Sequence, residues 1–304
     1  MNKQGNALYK FESINDFHRM FGLAKPRHPL VSFIDIEEMR YEPADLHGSL
    51  VMDFYKIAFK TQLCGKAKYG QSYYDFAEGG LVFTAPGQVF EKPDGKATSG
   101  YMLLFHPDLL LSFPLSRQIK QYGFFSYIAN EALHLSDQEK ATIMTVFRII
   151  NEELNSRIDD FSQNVIVSQI ELLLNYSNRF YKRQFITRKA VANDQLQKIE
   201  MILDEYFDSD KGLKQGLPTV QYLAEQMSLS PGYLSDMLRA LIGQNAQQLI
   251  QGKLIEKAKE ILSSSNLSVA EVAYQLGFEH PQSFTRLFKS KTRLSPVDFR
   301  LSFN

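Results

Sequence analysis

The last third of the chain, from Leu217 to Phe299, carries one short pattern twice, and few folds accommodate such a repeat. The first copy places Val220, Leu223, Ala224 and Met227 at i, i+3, i+4 and i+7, the stripe of an amphipathic helix. Thr219 stands where its hydroxyl can accept from an unpaired amide of the first turn. Ser228-Leu229 interrupts the pattern, and Ser230-Pro231 restarts it with a cap and a proline at the first helical position. The helix that follows carries Leu234, Met237, Leu238 and Leu241 on one face.

The series returns with Ser268 as cap and Val269, Val272, Ala273 and Leu276 as stripe. Gly277-Phe278 makes the turn, and the next helix buries Phe284, Leu287 and Phe288 behind a basic outer face. The offset is 49 residues before the turn and 50 after it, where Leu234 matches Phe284, so the second turn is one residue longer. In both copies a small Ala lies four residues before the turn residue, Ala224 before Ser228 and Ala273 before Gly277. A small side chain there lets two helices cross closely, and Gly tolerates the positive φ of a tight turn. Two ordinary helical hairpins explain one copy; matched caps, matched alanines and a helix between the copies require more.

These residues resemble the DNA-binding domain of the AraC/XylS family of transcription regulators. The likeness is carried by Ala273-Tyr274-Gln275-Leu276-Gly277-Phe278, by Ser283-Phe284-Thr285-Arg286-Leu287-Phe288-Lys289, and by Leu294-Ser295-Pro296-Val297-Asp298-Phe299-Arg300. It implies a sequence-specific, non-enzymatic regulator whose two helix-turn-helix motifs enter two adjacent major grooves of double-stranded DNA. It also implies a small-molecule effector held in an N-terminal cupin-like barrel, a homodimer, and RNA polymerase as a further partner.

Outward positions of the first recognition helix are Gly232, Ser235, Asp236 and Arg239; those of the second are Pro281, Gln282, Thr285, Arg286 and Lys289. Arg bonds guanine bidentately, Gln does the same for adenine, and Thr reaches a base edge or a thymine methyl. The second helix is therefore the better reader. Asp236 occupies a place where the family commonly has a basic or neutral residue, so the first helix is expected to position more than to read. Between the motifs, Asn245 to Ser264 is apolar at Leu249, Ile250, Leu254, Ala258, Ile261 and Leu262. A helix of about 20 residues spans roughly 30 Å, near the ~34 Å between major-groove faces one turn apart. The family tends to have Arg where Leu254 stands, and Lys253 is the neighbouring candidate for that phosphate contact.

The formal charge is zero overall, but Lys211 to Asn304 holds 11 Lys and Arg against 7 Asp and Glu. That local surplus is what phosphate neutralisation uses. No run approaches the roughly 18 apolar residues of a membrane span. The N-terminus has no secretory core, and the one cysteine, Cys64, excludes an internal disulfide and a thiolate zinc site. A cytoplasmic protein is expected.

The chain divides into residues 1–112, a sensor domain, residues 113–186, a helical pair suited to dimerisation or to packing on the barrel, and residues 187–304, the DNA-binding domain. The expected class is α+β: an antiparallel barrel with flanking helices, then an all-α domain. Phe11, Ile14, Phe17, Met20 and Phe21 have the spacing of a short helix. From Leu30 to Phe105, short apolar runs broken by Gly and Pro, including a hairpin from Glu78 to Gly87, read as strands. Tyr55, Phe59, Tyr69, Tyr73, Tyr74, Phe76 and Phe83 either fill the barrel or line an effector pocket. The six His, at 18, 28, 47, 106, 134 and 280, are nowhere closer than ten residues, which argues against a His-rich metal site, and no cofactor motif is present. Ser136-Asp137-Gln138-Glu139 is a capping box opening a helix with Ile143, Phe147, Ile150 and Leu154 inward. A second helix buries Ile166, Ile170, Leu173, Leu174 and Ser177, followed by Arg179, Lys182, Arg183, Arg188 and Lys189 as a solvated basic run. Two alternatives stay open: a constitutive regulator whose barrel only dimerises, and a cupin-type enzyme fused to a DNA-binding domain.

Overall fold

The structure is a computed structural model that describes residues 7–40, 48–61, 67–69, 72–74, 79–90, 99–127, 131–157, 159–187 and 189–302. His47, Cys64, Phe76, Glu78 and Arg188 lie outside them. Two compact units are formed, Met1–Gln184 and Phe185–Asn304.

The first unit runs β1 (Ala7–Phe11), α1 (Ile14–Met20), β2 (Val31–Asp35), β3 (Gly48–Met52), β4 (Tyr55–Lys60), β5 (Ala67–Tyr69), β6 (Ser72–Tyr74), β7 (Gly80–Thr84), β8 (Val89–Phe90), β9 (Gly100–Phe105), α2 (Leu115–Gln118), β10 (Leu133–His134), α3 (Asp137–Asn155) and α4 (Ser162–Thr187). Five strands pair antiparallel in the order β10-β7-β4-β9-β2, three pair as β1-β3-β8, and β5 pairs with β6. Among the described residues no sheet closes on itself, so the closed antiparallel barrel read from the sequence is replaced by open sheets. One pairing, β1 with β3, is parallel, because α1 and β2 carry the chain back before β3 begins.

The apolar run near the N-terminus splits. Phe11 ends a strand and Ser13 caps α1 through the Asp16 amide. Phe17 and Phe21 then fold back onto Phe11 with ring centroids 5.4 and 6.0 Å away. Met20, by contrast, is exposed. Phe11, Phe17, Phe21 and Phe54 join Leu50, Met52, Ala58, Met102 and Leu104 in one buried cluster, so one face of the five-stranded sheet packs on the three-stranded sheet and α1. Each buried Phe contributes roughly 1.5–3 kcal/mol. Lys56 points to the same side of β4 as Ala58, since strand side chains alternate. Burial, aided by repulsion from Lys60, pushes its ammonium down to about 7.

The other face of that sheet carries Tyr55, Ile57, Phe59, Phe33 and Phe83. Phe83 lies 4.4 Å from Phe124 and 6.2 Å from Tyr181, Tyr55 stacks on Phe105, and Phe33 meets Phe147 of α3 edge-on. Phe59 and Phe83 are thus core, and Tyr55 is half-buried beside them. The capping box at Ser136 and Glu139 forms as read, and α3 buries Ile143, Phe147, Ile150 and Leu154. Arg183 is no solvated linker residue: its guanidinium grips Glu139 at 2.6 and 3.0 Å and donates to the His134 carbonyl at 2.9 Å. His18 is structural, its ring nitrogens held by the Ala24 carbonyl and the Ser32 hydroxyl, and burial lowers its pKa.

The second unit is all-helical: α5 (Lys189–Asp208), α6 (Lys211–Gln215), α7 (Val220–Met227), α8 (Pro231–Ile242), α9 (Ala246–Ser264), α10 (Val269–Gln275), α11 (Pro281–Thr292) and α12 (Pro296–Leu301). Ile199, Leu203 and Tyr206 of α5 are buried, as their spacing requires. On α9, Leu249, Ile250, Leu254, Ala258, Ile261 and Leu262 form the buried stripe. Across the described residues no helix is long and apolar enough to cross a membrane, and no group of His, Cys, Asp or Glu is placed to hold a metal ion.

Candidate nucleic-acid interface

The two copies of the repeat build the same turn. In the first, the Ala224 carbonyl accepts from the Leu229 amide at 2.9 Å and the Glu225 carbonyl from Ser228 at 3.0 Å. In the second, Ala273 accepts from Phe278 at 2.9 Å and Tyr274 from Gly277 at 3.0 Å. This is the nested closure that ends a helix with a left-handed residue. Ser228 adopts φ 56° and Gly277 φ 97°, and Ala224 and Ala273 are fully buried where the helices cross. A Cβ on Gly277 would stand 2.5 Å from the carbonyl group of Gly216, so here Gly serves close approach as well as turn geometry.

Each entering helix is capped as its sequence prescribes. Thr219 accepts from the Tyr222 amide at 3.0 Å and Ser230 from Tyr233 at 3.2 Å. Ser268 and Glu271 form a reciprocal capping box, which lowers the Glu271 pKa. The extra residue of the second turn makes His280 the cap of α11, with no side-chain cap bond. Inward, α8 sets down Leu234, Met237 and Leu238, whereas α11 sets down Phe284 and Phe288. Phe278, Phe284, Phe288 and Phe299 run as a ladder with centroids 5.4–5.7 Å apart, fixing α11 against its turn and α12.

With the inward residues fixed, the outer faces differ in charge. On α8, Ser235 and Asp236 are half-buried and Arg239 is exposed, but Arg239 is held by Asp236 at 2.5 Å. That pair leaves the helix face neutral. On α11, Gln282, Arg286 and Lys289 are exposed, with Pro281 and Thr285 partly covered. The Thr285 hydroxyl donates to the Pro281 carbonyl at 3.1 Å, leaving its methyl and lone pairs for a partner. At the offset of 50, Asp236 lies where Arg286 lies, so the two helices present opposite charge at the same place.

The other cations of Lys211–Asn304 are occupied within the unit. Lys253 pairs with Asp204 at 3.4 Å and Glu256 at 3.9 Å, so the residue read as a substitute phosphate contact beside buried Leu254 faces α5. Lys257 bonds Asp208 at 2.6 Å and Glu260 at 2.9 Å, which raises its pKa. Lys214 pairs with Asp210, Lys211 bonds the Tyr222 hydroxyl, Lys259 lies over the Phe299 ring, and Arg300 donates to the Leu262 carbonyl. Among the described residues of this segment, the cations left without a partner are Arg286, Lys289, Lys291 and Arg293, all clustered on and just after α11.

Some features were missed in the sequence. Asn245 and Gln248 form a capping box that starts α9, a pattern visible in the spacing. Gly212 and Gly216, read as loop, belong to α6 and its cap, pressed against the turn at Gln275–Gly277. No local pattern reveals that contact. Arg293 holds φ 65° where the matching residue of the first copy is Gly243 at φ 72°.

Two helix-turn-helix units carried on one connecting helix define a bipartite DNA-binding domain. Residues 223–302 match the family described as "Helix-turn-helix domain". The chain is 24% identical over 261 residues, 81% of its length and 76% of the relative's, to the uncharacterized HTH-type transcriptional regulator YfiF of Bacillus subtilis. It is 28% identical over 148 residues to the HTH-type transcriptional activator RhaS of Salmonella schwarzengrund, covering 48% of this chain and about half (51%) of that one. The solved C-terminal domain of the response regulator yesN from Fusobacterium nucleatum is 31% identical, covers 35% of this chain and 98% of its own, and gives a TM-score of 0.31. Residues 223–302 are thus a helix-turn-helix domain of AraC type, and the relatives that the chain matches are HTH-type transcriptional regulators.

Proposed function

We propose that this regulator reads sequence with α11 and uses α8 to position the domain in the neighbouring major groove. The observation that carries the reading is the concentration of unpartnered cations on and just after α11, set against the closed Asp236–Arg239 pair on α8. Gln282 and Arg286 supply bidentate base contacts, Thr285 offers its methyl and lone pairs, and Lys289 neutralises a phosphate. Pro281 presets the first turn at the groove, and Ser235, Asp236 and Arg239 form the weaker surface of α8. The α9 helix of 19 residues, about 28 Å long at 1.5 Å per residue, comes within about 6 Å of the ~34 Å between two major-groove faces on one side of the duplex.

On this reading the protein is cytoplasmic, non-enzymatic and cofactor-free, with double-stranded DNA as its partner, and it acts through RNA polymerase. Its N-terminal unit is a cupin-like sensor, residues 1–112, followed by a helical segment, residues 113–186, that pairs two copies as a homodimer. Effector control rests on the likeness to the family. A constitutive regulator is a second reading, favoured by the Phe11, Phe17, Phe21 and Phe54 cluster that fills the space between the two larger sheets. Binding-site selection on random DNA by the full-length protein, with and without cell extract, tests the proposal. A single enriched bipartite site supports it, and a site that sharpens with extract supports effector control; no enrichment under either condition refutes sequence-specific regulation.

A further inference from the structure

We infer that Arg293 is a DNA-phosphate contact belonging to the second motif alone, placed where α11 leaves the groove. The inference rests on the proposed reading role of α11 and extends it by one residue that the repeat makes conspicuous. Arg293 is the C-terminal cap of α11, its amide donating to the Lys289 carbonyl at 2.9 Å. Its φ is 65°, in the left-handed region that an L side chain enters only at a steric penalty. The first copy solves the same cap with Gly243 at φ 72°, where an added Cβ would meet nothing within 4 Å. Nothing steric at the cap demands Arg, and the backbone would rest more easily on Gly. A side chain kept at a strained position serves something other than the fold.

Its chemistry says what. Among the described residues the Arg293 guanidinium has no acidic or carbonyl partner, unlike Arg183, Arg239 and Arg300. In sequence it follows Gln282, Arg286 and Lys289 at i, i+4, i+7 and i+11, and it stands just past Thr292, where the helix ends and the chain turns away. Eleven residues of helix cover about 16 Å, more than the ~12 Å width of the major groove. When the start of α11 touches base edges, its far end stands over the sugar-phosphate wall, where a guanidinium meets phosphate oxygens rather than bases.

The test compares full-length wild type, Arg293→Gly, Arg293→Lys and Arg286→Ala on one selected site and on scrambled DNA, across a salt series. Arg293→Gly should weaken binding to both DNAs about five- to tenfold at about 0.1 M salt and flatten the salt slope by about 0.9, one phosphate's worth. In the same variant, hydrogen exchange of the last turn of α11 should slow, because the cap is relieved. Arg293→Lys should recover most of the slope, and Arg286→Ala should change base preference instead. Wild-type affinity and slope in Arg293→Gly, beside a defective Arg286→Ala, would overturn this inference alone. Failure of the wild type to prefer its selected site would instead sink the reading on which it rests.

Discussion

Replacing Gly277 by alanine, and Ser228 by glycine, perturbs the same place in the two copies of the repeat and should move stability in opposite directions. At Gly277 the backbone holds φ 97°, and a new Cβ would stand 2.5 Å from both the carbonyl carbon and oxygen of Gly216 and 2.9 Å from the Leu217 amide nitrogen. The obstacles are backbone, so neither can rotate away. Left-handed backbone costs an L residue about 1–2 kcal/mol, and forcing packed elements apart adds about 1–3 kcal/mol. The sum is about 2–5 kcal/mol. At Ser228, φ is 56° and the side chain is exposed, so Ser228→Gly removes the strain without removing a packed group and should gain up to about 1 kcal/mol. Hydrogen exchange of α10–α11 and α7–α8 in the full-length protein reads both effects locally. Protection of α10–α11 should fall by at least about thirtyfold in Gly277→Ala, while that of α7–α8 rises in Ser228→Gly. Undiminished protection in the Gly277→Ala variant would refute the close-approach argument. A loss of protection in Ser228→Gly would refute the equivalence of the two turns.

Further outcomes are open to measurement. Asp236→Ala releases Arg239 and should strengthen binding to any duplex, with a salt slope steeper by about one unit; an unchanged slope in filter binding would show that Arg239 stays off the phosphates. Lys289→Ala should lower affinity for all sequences and flatten the slope by about one unit, and a change confined to one base position would contradict a phosphate role. Lys56 has a folded pKa lowered from 10.5 to about 7, so the folded unit binds fewer protons than the unfolded chain between those values, and its destabilising effect fades as pH rises through that window. Lys56→Met should therefore exceed wild type in denaturant stability by at least about 1 kcal/mol at about pH 7, with the gap narrowing towards about pH 10. A gap that widens with pH would refute it.

The helical unit was legible because its signals are local. Caps at Thr219, Ser230 and Ser268, the stripe of α9 and the twin turns each need only a few neighbouring residues to be read, and all are present. Outward faces were legible for the same reason, since fixing Phe284 and Phe288 inward leaves Gln282, Arg286 and Lys289 outward. What escaped is set by residues distant in sequence. Lys253 and Lys257 look available until α5 brings Asp204 and Asp208 beside them. Arg183 looks like linker until Glu139, 44 positions earlier, closes on it. The strands gave the apolar spacing but not the pairing: the parallel β1–β3 contact and the open edges depend on how α1 and β2 route the chain. Phe83 likewise declares itself core only once Phe124 packs beside it.

The central claim, that α11 reads and α8 positions, is tested most directly by the base preference of Arg286→Ala, measured position by position on the selected site. Loss of a bidentate guanine contact should cost about 1–3 kcal/mol and abolish discrimination at one base pair of the half-site under α11, leaving the half-site under α8 as tolerant as before. Preserved discrimination at every position, or loss confined to the half-site under α8, would contradict the account.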